Sequence, residues 1–264
     1  MDDKFNMRDT AAQARQAANI TASLPGELKN LALQSVAEAL RLHGDIIIAA
    51  NKADLANAES AGLASALLKR LKFDQEKLNA VITGIESLRK LPDPVGCQLD
   101  ATRLDNELIL RRVSCPIGVL GIVFESRPDA LVQISTLAIK SGNAVLLKGG
   151  SEAALTNAAL AKVIDNAACQ AGFPAGWLAL LQSRDDVKAM LAMDEYIDLV
   201  IPRGSNDFVR YIMDNTRIPV MGHADGICHV FIDDSADLEM AVKVAFDSKC
   251  QYPAVCNAME TLLI

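Results

Sequence analysis

Among the six cysteines (Cys97, Cys115, Cys169, Cys228, Cys250 and Cys256) no C-x-x-C pair and no zinc-type spacing occurs. A redox dithiol and a structural zinc site are therefore excluded, and no metal is expected. No stretch approaches eighteen consecutive apolar residues, so no membrane span is expected. No block of like charge is present either: 26 Lys and Arg stand against 33 Asp and Glu, a net charge of −7. That balance argues against a nucleic-acid surface, and an anionic substrate would need a local cation rather than a global field. Internal repeats, low-complexity tracts and linkers are missing, as is a signal segment. With scattered thiols, this fits a cytoplasmic location better than a disulfide scaffold.

What remains is an ordinary globular composition, 51% apolar and 22% charged over 264 residues, enough for a large core and two domains. The first ninety residues read as helices. Leu28, Leu31, Val36 and Leu40 recur at helical spacing, and Ile46 to Ala50 extend that face. Leu78, Val81, Ile82, Ile85 and Leu88 form a second stripe within 74–89. Pro92-Asp93-Pro94 breaks the run. The segments 98–104 and 107–113 flank Asp105-Asn106, turn residues that tolerate positive φ, and predict a β-hairpin.

From Pro116 the pattern becomes α/β. Gly118 to Phe124 (GVLGIVF) is a near-continuous apolar run, as for a strand buried on both faces. Helices over 128–141, 153–171 and 185–193 alternate with strands over 144–148, 178–181 and 197–201, which predicts a parallel sheet. The G-x-G-x-x-G loop of a standard dinucleotide fold is missing, since Gly118 and Gly121 lack its spacing. Lys148 ends a strand at the carboxyl edge of the sheet, where it serves either as a ligand for ribose or phosphate or as a solvated strand-end lysine. Arg203-Gly204-Ser205 follow another strand and open a helix. They suit a pyrophosphate cradle or a plain serine N-cap.

Near the carboxyl end a helix over 238–248 runs into a Pro-interrupted loop, then Cys256, then the apolar run Thr261 to Ile264. A thiol on such a loop is placed for nucleophilic attack, although a free cysteine is more often core packing. The wording here is specific. YPAVCNAMETLLI, PVMGHADGICH (Pro219 to His229), IPRGS (Ile201 to Ser205) and VFESRPDALVQ (Val123 to Gln133) occur in that order. Together they resemble the glutamate-5-semialdehyde dehydrogenase (gamma-glutamyl phosphate reductase) family of the aldehyde dehydrogenase superfamily. The similarity is strongest to the reductase half of pyrroline-5-carboxylate synthase and covers essentially the whole chain.

The resemblance implies an aldehyde-dehydrogenase-like α/β fold: a parallel Rossmann-like nucleotide-binding sheet, N-terminal helices, a hairpin for subunit contact, and an incomplete catalytic domain. Expected boundaries are 1–115 for the helices and hairpin, 116–235 for the NADP-binding domain, and 236–264 for the start of the catalytic domain. Family members run on beyond the strand after the nucleophile, so a fragment of low turnover is expected. Cys256 is implied to be the nucleophile, with Ser126 at the oxyanion-stabilising position. Arg127, His223 and Asn257 are implied to contact glutamyl 5-phosphate, and Lys148, Ser151, Arg203, Gly204 and Ser205 to hold the cofactor. Where NAD-preferring members carry Glu three residues after the lysine, this chain has Ser151, which favours NADP(H).

No base stands at Met221 or Gly222, where acid-forming relatives carry the water-activating Glu, so phosphate or hydride is expected to resolve the acyl-enzyme. A homo-oligomer and a glutamate 5-kinase, as partner or fused domain, complete the implied picture. Arg127 equally suits a surface ion pair. An acylating aldehyde dehydrogenase using another acyl donor, and a non-catalytic nucleotide-binding module, stay open as alternatives.

Overall fold

The computed structural model describes residues 6–264 apart from Ser126, residues 223–225 and Ala254. Five helices lead the chain: α1 (Met7–Thr21), α2 (Gly26–Leu42), α3 (Gly44–Ser60), α4 (Ser65–Leu71) and α5 (Gln75–Lys90). The hairpin of β1 (Gln98–Asp105) and β2 (Leu108–Val113) follows, paired antiparallel as the Asp105-Asn106 turn predicts. Next come β3 (Val119–Val123), α6 (Pro128–Ser141), β4 (Ala144–Lys148), α7 (Ala154–Gln170), β5 (Leu178–Leu180), α8 (Arg184–Met190), β6 (Leu199–Pro202) and α9 (Asn206–Asp214). The chain closes with β7 (Cys228–Phe231), α10 (Leu238–Cys250) and β8 (Met259–Leu263).

The four central strands form a parallel sheet in the order β5-β4-β3-β6. Every residue of β3 and β4 is buried. Side chains alternate across a strand, so the two strands feed two separate cores. Leu120, Ile122, Val145 and Leu147 pack with Leu33, Val36, Leu40, Leu131 and Ile139 of α2 and α6. Val119, Val123, Ala144 and Leu146 pack with Ala11 and Ala14 of α1, Met190 of α8 and Ile212 of α9. Gly121 is required on this second face, because a Cβ there would press on the Met190 sulfur.

Two compact units result, one ending at Gly222 and the other spanning 223–264. The divisions at 115 and 235 expected from the sequence do not coincide with this one. The N-terminal helices are not a separate body, since α1 and α2 supply the packing layers of the central sheet. At the other end, β7 does not join that sheet but pairs in parallel with β8. The terminal apolar strand thus has one strand partner among the described residues. A smaller difference concerns α2, which stops at Leu42; Ile46 lies in the first turn of α3, which begins at Gly44, and is exposed rather than extending the old face.

Candidate active site

Lys148 is the last residue of β4, at the carboxyl end of the sheet. Its side chain is buried, and its ammonium donates to the Gly149 carbonyl. Burial lowers its pKa from the ordinary lysine value, with the Glu152 carboxylate acting in the opposite direction. Lys148, Gly149, Gly150, Ser151, Asn157 and Gln182 line one narrow cleft beside the strand end. A Cβ at 149 would overlap the buried Asn157 amide, whereas one at 150 would meet only the movable end of the Glu152 side chain. The structure therefore brings Lys148 and Ser151 together, and adds two residues that sequence reading passed over. Glu152 is visible in KGGSEA, one place beyond the position considered. Asn157 had a weaker signal, a polar residue in the buried stripe of α7 with Leu160 and Ile164.

The start of α7 beside this cleft is held from outside. Asp54 of α3 accepts hydrogen bonds from the Leu155 and Thr156 backbone N–H groups at 3.2 and 2.8 Å and from the Thr156 hydroxyl at 2.6 Å. Asn51 donates to the same hydroxyl at 3.2 Å. Because Asp54 already answers these N–H groups, the α7 terminus is a fixed wall rather than a phosphate cradle.

Arg203, Gly204 and Ser205 follow β6 at the same sheet edge. The Arg203 N–H donates to the Val123 carbonyl at 2.8 Å, fixing the loop to β3. The Ser205 hydroxyl accepts from the Phe208 N–H at 3.3 Å and so caps α9. Glu125, just past β3, lies close to Gly204: its Oε1 would stand 3.2 Å from a Cβ added there. A phosphate entering this turn would meet that carboxylate.

Arg127 precedes α6 and pairs with Asp129 at 3.0 Å, the guanidinium 56% exposed and the carboxylate side chain 7%. The ion-pair reading of Arg127 is thus realised. It does not exclude ligand binding, because the exposed guanidinium can also be reached by an incoming anion while it compensates the buried Asp129 carboxylate. Both residues line a groove of about 630 Å³ between α5 and α6, together with Lys77, Gln133 and Thr136. Lys77 lies on the polar face of amphipathic α5, where the sequence alone gives no reason to single it out. Ser126 and His223 lie outside the described residues.

Cys256 and Asn257 belong to the second unit. Asp237 caps the start of α10, accepting from the Met240 N–H at 2.8 Å. The helix ends at Cys250, three residues before Pro253, which lacks an N–H to continue it. Turns closed by Val255 N–H to Tyr252 and Ala258 N–H to Val255 then carry Cys256 and Asn257, both exposed, to β8. The buried Ala258 pins the far end. The Cys256 carbonyl accepts from the Cys228 thiol at 3.4 Å, and Gly226 packs directly on that carbonyl. The result is an exposed thiol on a turn fixed from both sides.

A parallel α/β sheet with polar residues gathered at its carboxyl edge, followed by a unit presenting an exposed thiol, defines the class of fold: an open α/β sheet whose strand ends are the place for a ligand. Comparison with known proteins makes this specific. The family model described as "Aldehyde dehydrogenase family" matches residues 4–264, and the chain belongs to that family. It is 62% identical over 260 residues to the gamma-glutamyl phosphate reductase of Ruminiclostridium cellulolyticum, covering 98% of this chain and 60% of that protein. The corresponding protein of Pelotomaculum thermopropionicum is 59% identical with the same coverage.

Among solved structures, the gamma-glutamyl phosphate reductase of Thermotoga maritima aligns with a TM-score of 0.91 at 35% identity, over 98% of this chain and 63% of that one. The Saccharomyces cerevisiae protein of that name aligns at 0.78 with 44% identity, over 98% and 65%. The chain spans about 60% of the length of the curated relatives it matches. Membership of the family brings a nicotinamide cofactor, and the groups around the Lys148 cleft, itself only about 10 Å³, are of a kind that suits one. It offers a cation at a strand end, bare backbone at Gly149 and Gly150, and a buried acceptor, Asn157 Oδ1, with no partner among the described residues.

Proposed function

We propose that this chain carries the nucleotide-binding and nucleophile-bearing part of an NADPH-dependent gamma-glutamyl phosphate reductase. The reaction is reduction of L-glutamyl 5-phosphate to L-glutamate 5-semialdehyde and phosphate, in proline synthesis. The observation that carries this reading is the 62% identity, over nearly the whole chain, to a protein bearing that name. The exposed Cys256 turn supports it.

The Cys256 thiolate attacks the acyl carbon, forming a C–S bond as the C–O bond to phosphate breaks and inorganic phosphate leaves. A reduced nicotinamide, when bound, supplies hydride to the thioester carbonyl carbon. Collapse of the resulting thiohemiacetal expels the Cys256 thiolate and releases the aldehyde. The Cys256 backbone N–H and the Ser126 hydroxyl are the oxyanion donors, and Arg127, His223 and Asn257 hold the substrate's anionic and polar groups. Lys148 and Ser151 hold NADP(H), with Ser151 leaving the 2′-phosphate unopposed at that position, and the 203–205 turn holds it through groups other than its phosphates, which the Glu125 carboxylate beside Gly204 would repel.

The exposed Leu104, Leu108, Ile109 and Leu110 of the hairpin support a homo-oligomer. A glutamate 5-kinase, separate or fused, supplies the acyl phosphate. A cytoplasmic location suits the scattered free thiols.

The test is NADP+ reduction in the reverse direction, with glutamate 5-semialdehyde and a protein of the relatives' full length carrying these residues, since the chain alone spans about 60% of that length. Since Met221 and Gly222 supply no base, turnover should require added phosphate and yield the acyl phosphate. Rapid formation of free glutamate in phosphate-free buffer contradicts the reading.

A further inference from the structure

The groove of about 630 Å³ between α5 and α6 has its charge gathered at one end. Lys140, in the last turn of α6, donates to the Leu91 and Arg89 carbonyls at the end of α5, at 2.7 and 3.4 Å. The two helices therefore run side by side in the same direction, and their first turns lie together at the opposite end. Arg127 enters α6 from β3, so that end opens at the carboxyl edge of the central sheet. Lys77 and Arg127 stand there, and the buried Val81, Ile85 and Val132 form an apolar floor beyond them.

The two cations differ in what already holds them. Arg127 compensates Asp129 at 3.0 Å. Asp74, the carboxylate at the start of α5, is taken by Lys72 at 2.7 Å and by the Lys77 backbone N–H at 3.0 Å. The Lys77 side chain is exposed, and no carboxylate lies within ion-pair distance of its ammonium among the described residues. On an open helix face such a lysine would be a solvated charge and nothing more. Lys77 instead shares a groove with a second cation, the local positive site that a chain of net charge −7 needs for an anion.

Resting on the function proposed above, we propose that Lys77 determines specificity by binding the α-carboxylate of L-glutamyl 5-phosphate, while Arg127 takes the acyl phosphate. The substrate carries two anionic groups joined by a short methylene chain, and the groove mouth carries two cations above an apolar floor. Arg127 follows Ser126, the proposed oxyanion donor, and so belongs to the reacting end. Lys77, on the other wall, is left for the far end, where the α-carboxylate is remote from the bond that changes. A contact of that kind is as strong in the ground state as in the transition state, so it selects substrate through KM. An ammonium in an open groove acts as a point charge and is screened by salt.

The experiment uses a protein of the relatives' full length carrying these residues, assayed in the reverse direction with NADP+ and phosphate. It compares glutamate 5-semialdehyde with 4-aminobutanal, which has the same aldehyde and amine but no α-carboxylate. The wild type should prefer glutamate 5-semialdehyde by about tenfold or more in kcat/KM, and less so as ionic strength rises. Lys77→Met should raise KM for glutamate 5-semialdehyde about tenfold, act on 4-aminobutanal as the wild type does, and so lose most of the preference. Lys77→Arg should keep it.

Equal use of the two aldehydes by the wild type overturns the proposal without any variant. So does a Lys77→Met protein that keeps the wild-type preference, or one that loses activity on both aldehydes equally, the mark of a purely structural residue. Absence of turnover with either aldehyde by the wild type brings down the reductase reading itself and this proposal with it, an outcome distinct from the others.

Discussion

A side chain at Gly226 would overlap the carbonyl oxygen of Cys256. The 226 backbone and the Cys256 turn are in direct contact, so only glycine allows the approach. Gly226→Ala should displace the Cys256 turn while the unit ending at Gly222 stays folded. The expected outcome is at least a tenfold loss of phosphate-dependent turnover with NADPH affinity unchanged, read by reverse-direction assay and fluorescence titration. Unaltered turnover would mean that the 226 segment yields without moving the thiol.

Cysteine reactivity should separate by environment. Burial, reinforced by the Asp165 carboxylate, pushes the Cys169 thiol up to about 11. Cys97, Cys115, Cys250 and Cys256 are exposed. The thiolate is the reacting species, so alkylation of the native chain at pH 8 should mark the exposed four and spare Cys169. Peptide mapping reads the result, and early modification of Cys169 would show that the α7 layer opens readily.

Asp129 depends on Arg127 for charge compensation, while Arg127 is exposed enough to leave it for a ligand. Arg127→Ala should raise KM for the anionic substrate about tenfold or more, with a smaller effect on kcat, since the contact is made in the ground state as well. An equal fall in kcat and kcat/KM would assign Arg127 to the chemical step instead.

Much of the framework is legible in the sequence, because burial on both faces leaves a near-continuous apolar run. GVLGIVF and AVLLK become β3 and β4, and the Leu78 to Leu88 stripe becomes the inner face of α5. The hairpin follows from two turn residues. Pairings between distant segments are less legible. β7 is four residues long with alternating exposure, and nothing local says that it pairs with β8 rather than the central sheet. The N-terminal helices read as a body of their own, since amphipathicity tells that a face is buried but not against what. In the site, Lys148 and Ser151 stand out by position. The orphan state of Asn157 and the Arg127–Asp129 pair require coordinates, because they depend on which neighbours are already satisfied.

On the proposed reading, cofactor choice turns on charge at the Lys148 cleft. The Glu152 carboxylate lies against Gly150 and acts electrostatically on Lys148, opposing the preference that Ser151 allows. Glu152→Gln should shift the NADPH-to-NADH affinity ratio toward NADPH, and Ser151→Glu toward NADH, each by roughly tenfold. The lowered Lys148 pKa adds a pH signature. The ammonium form favours phosphate, so NADPH affinity is full below that pKa and declines as pH rises through it, before the ordinary lysine value of 10.5 is reached. Ratios unmoved in both variants would place the 2′ position away from residues 151 and 152.

The most direct measurement is the mass of the peptide containing Cys256 after the chain is incubated with glutamate 5-semialdehyde and NADP+ in phosphate-free buffer. A glutamyl adduct on Cys256 that disappears on adding phosphate, and is absent from Cys256→Ser, is the predicted result. Turnover that persists in Cys256→Ser, or an adduct carried by another cysteine, would contradict the assignment of Cys256 as the nucleophile.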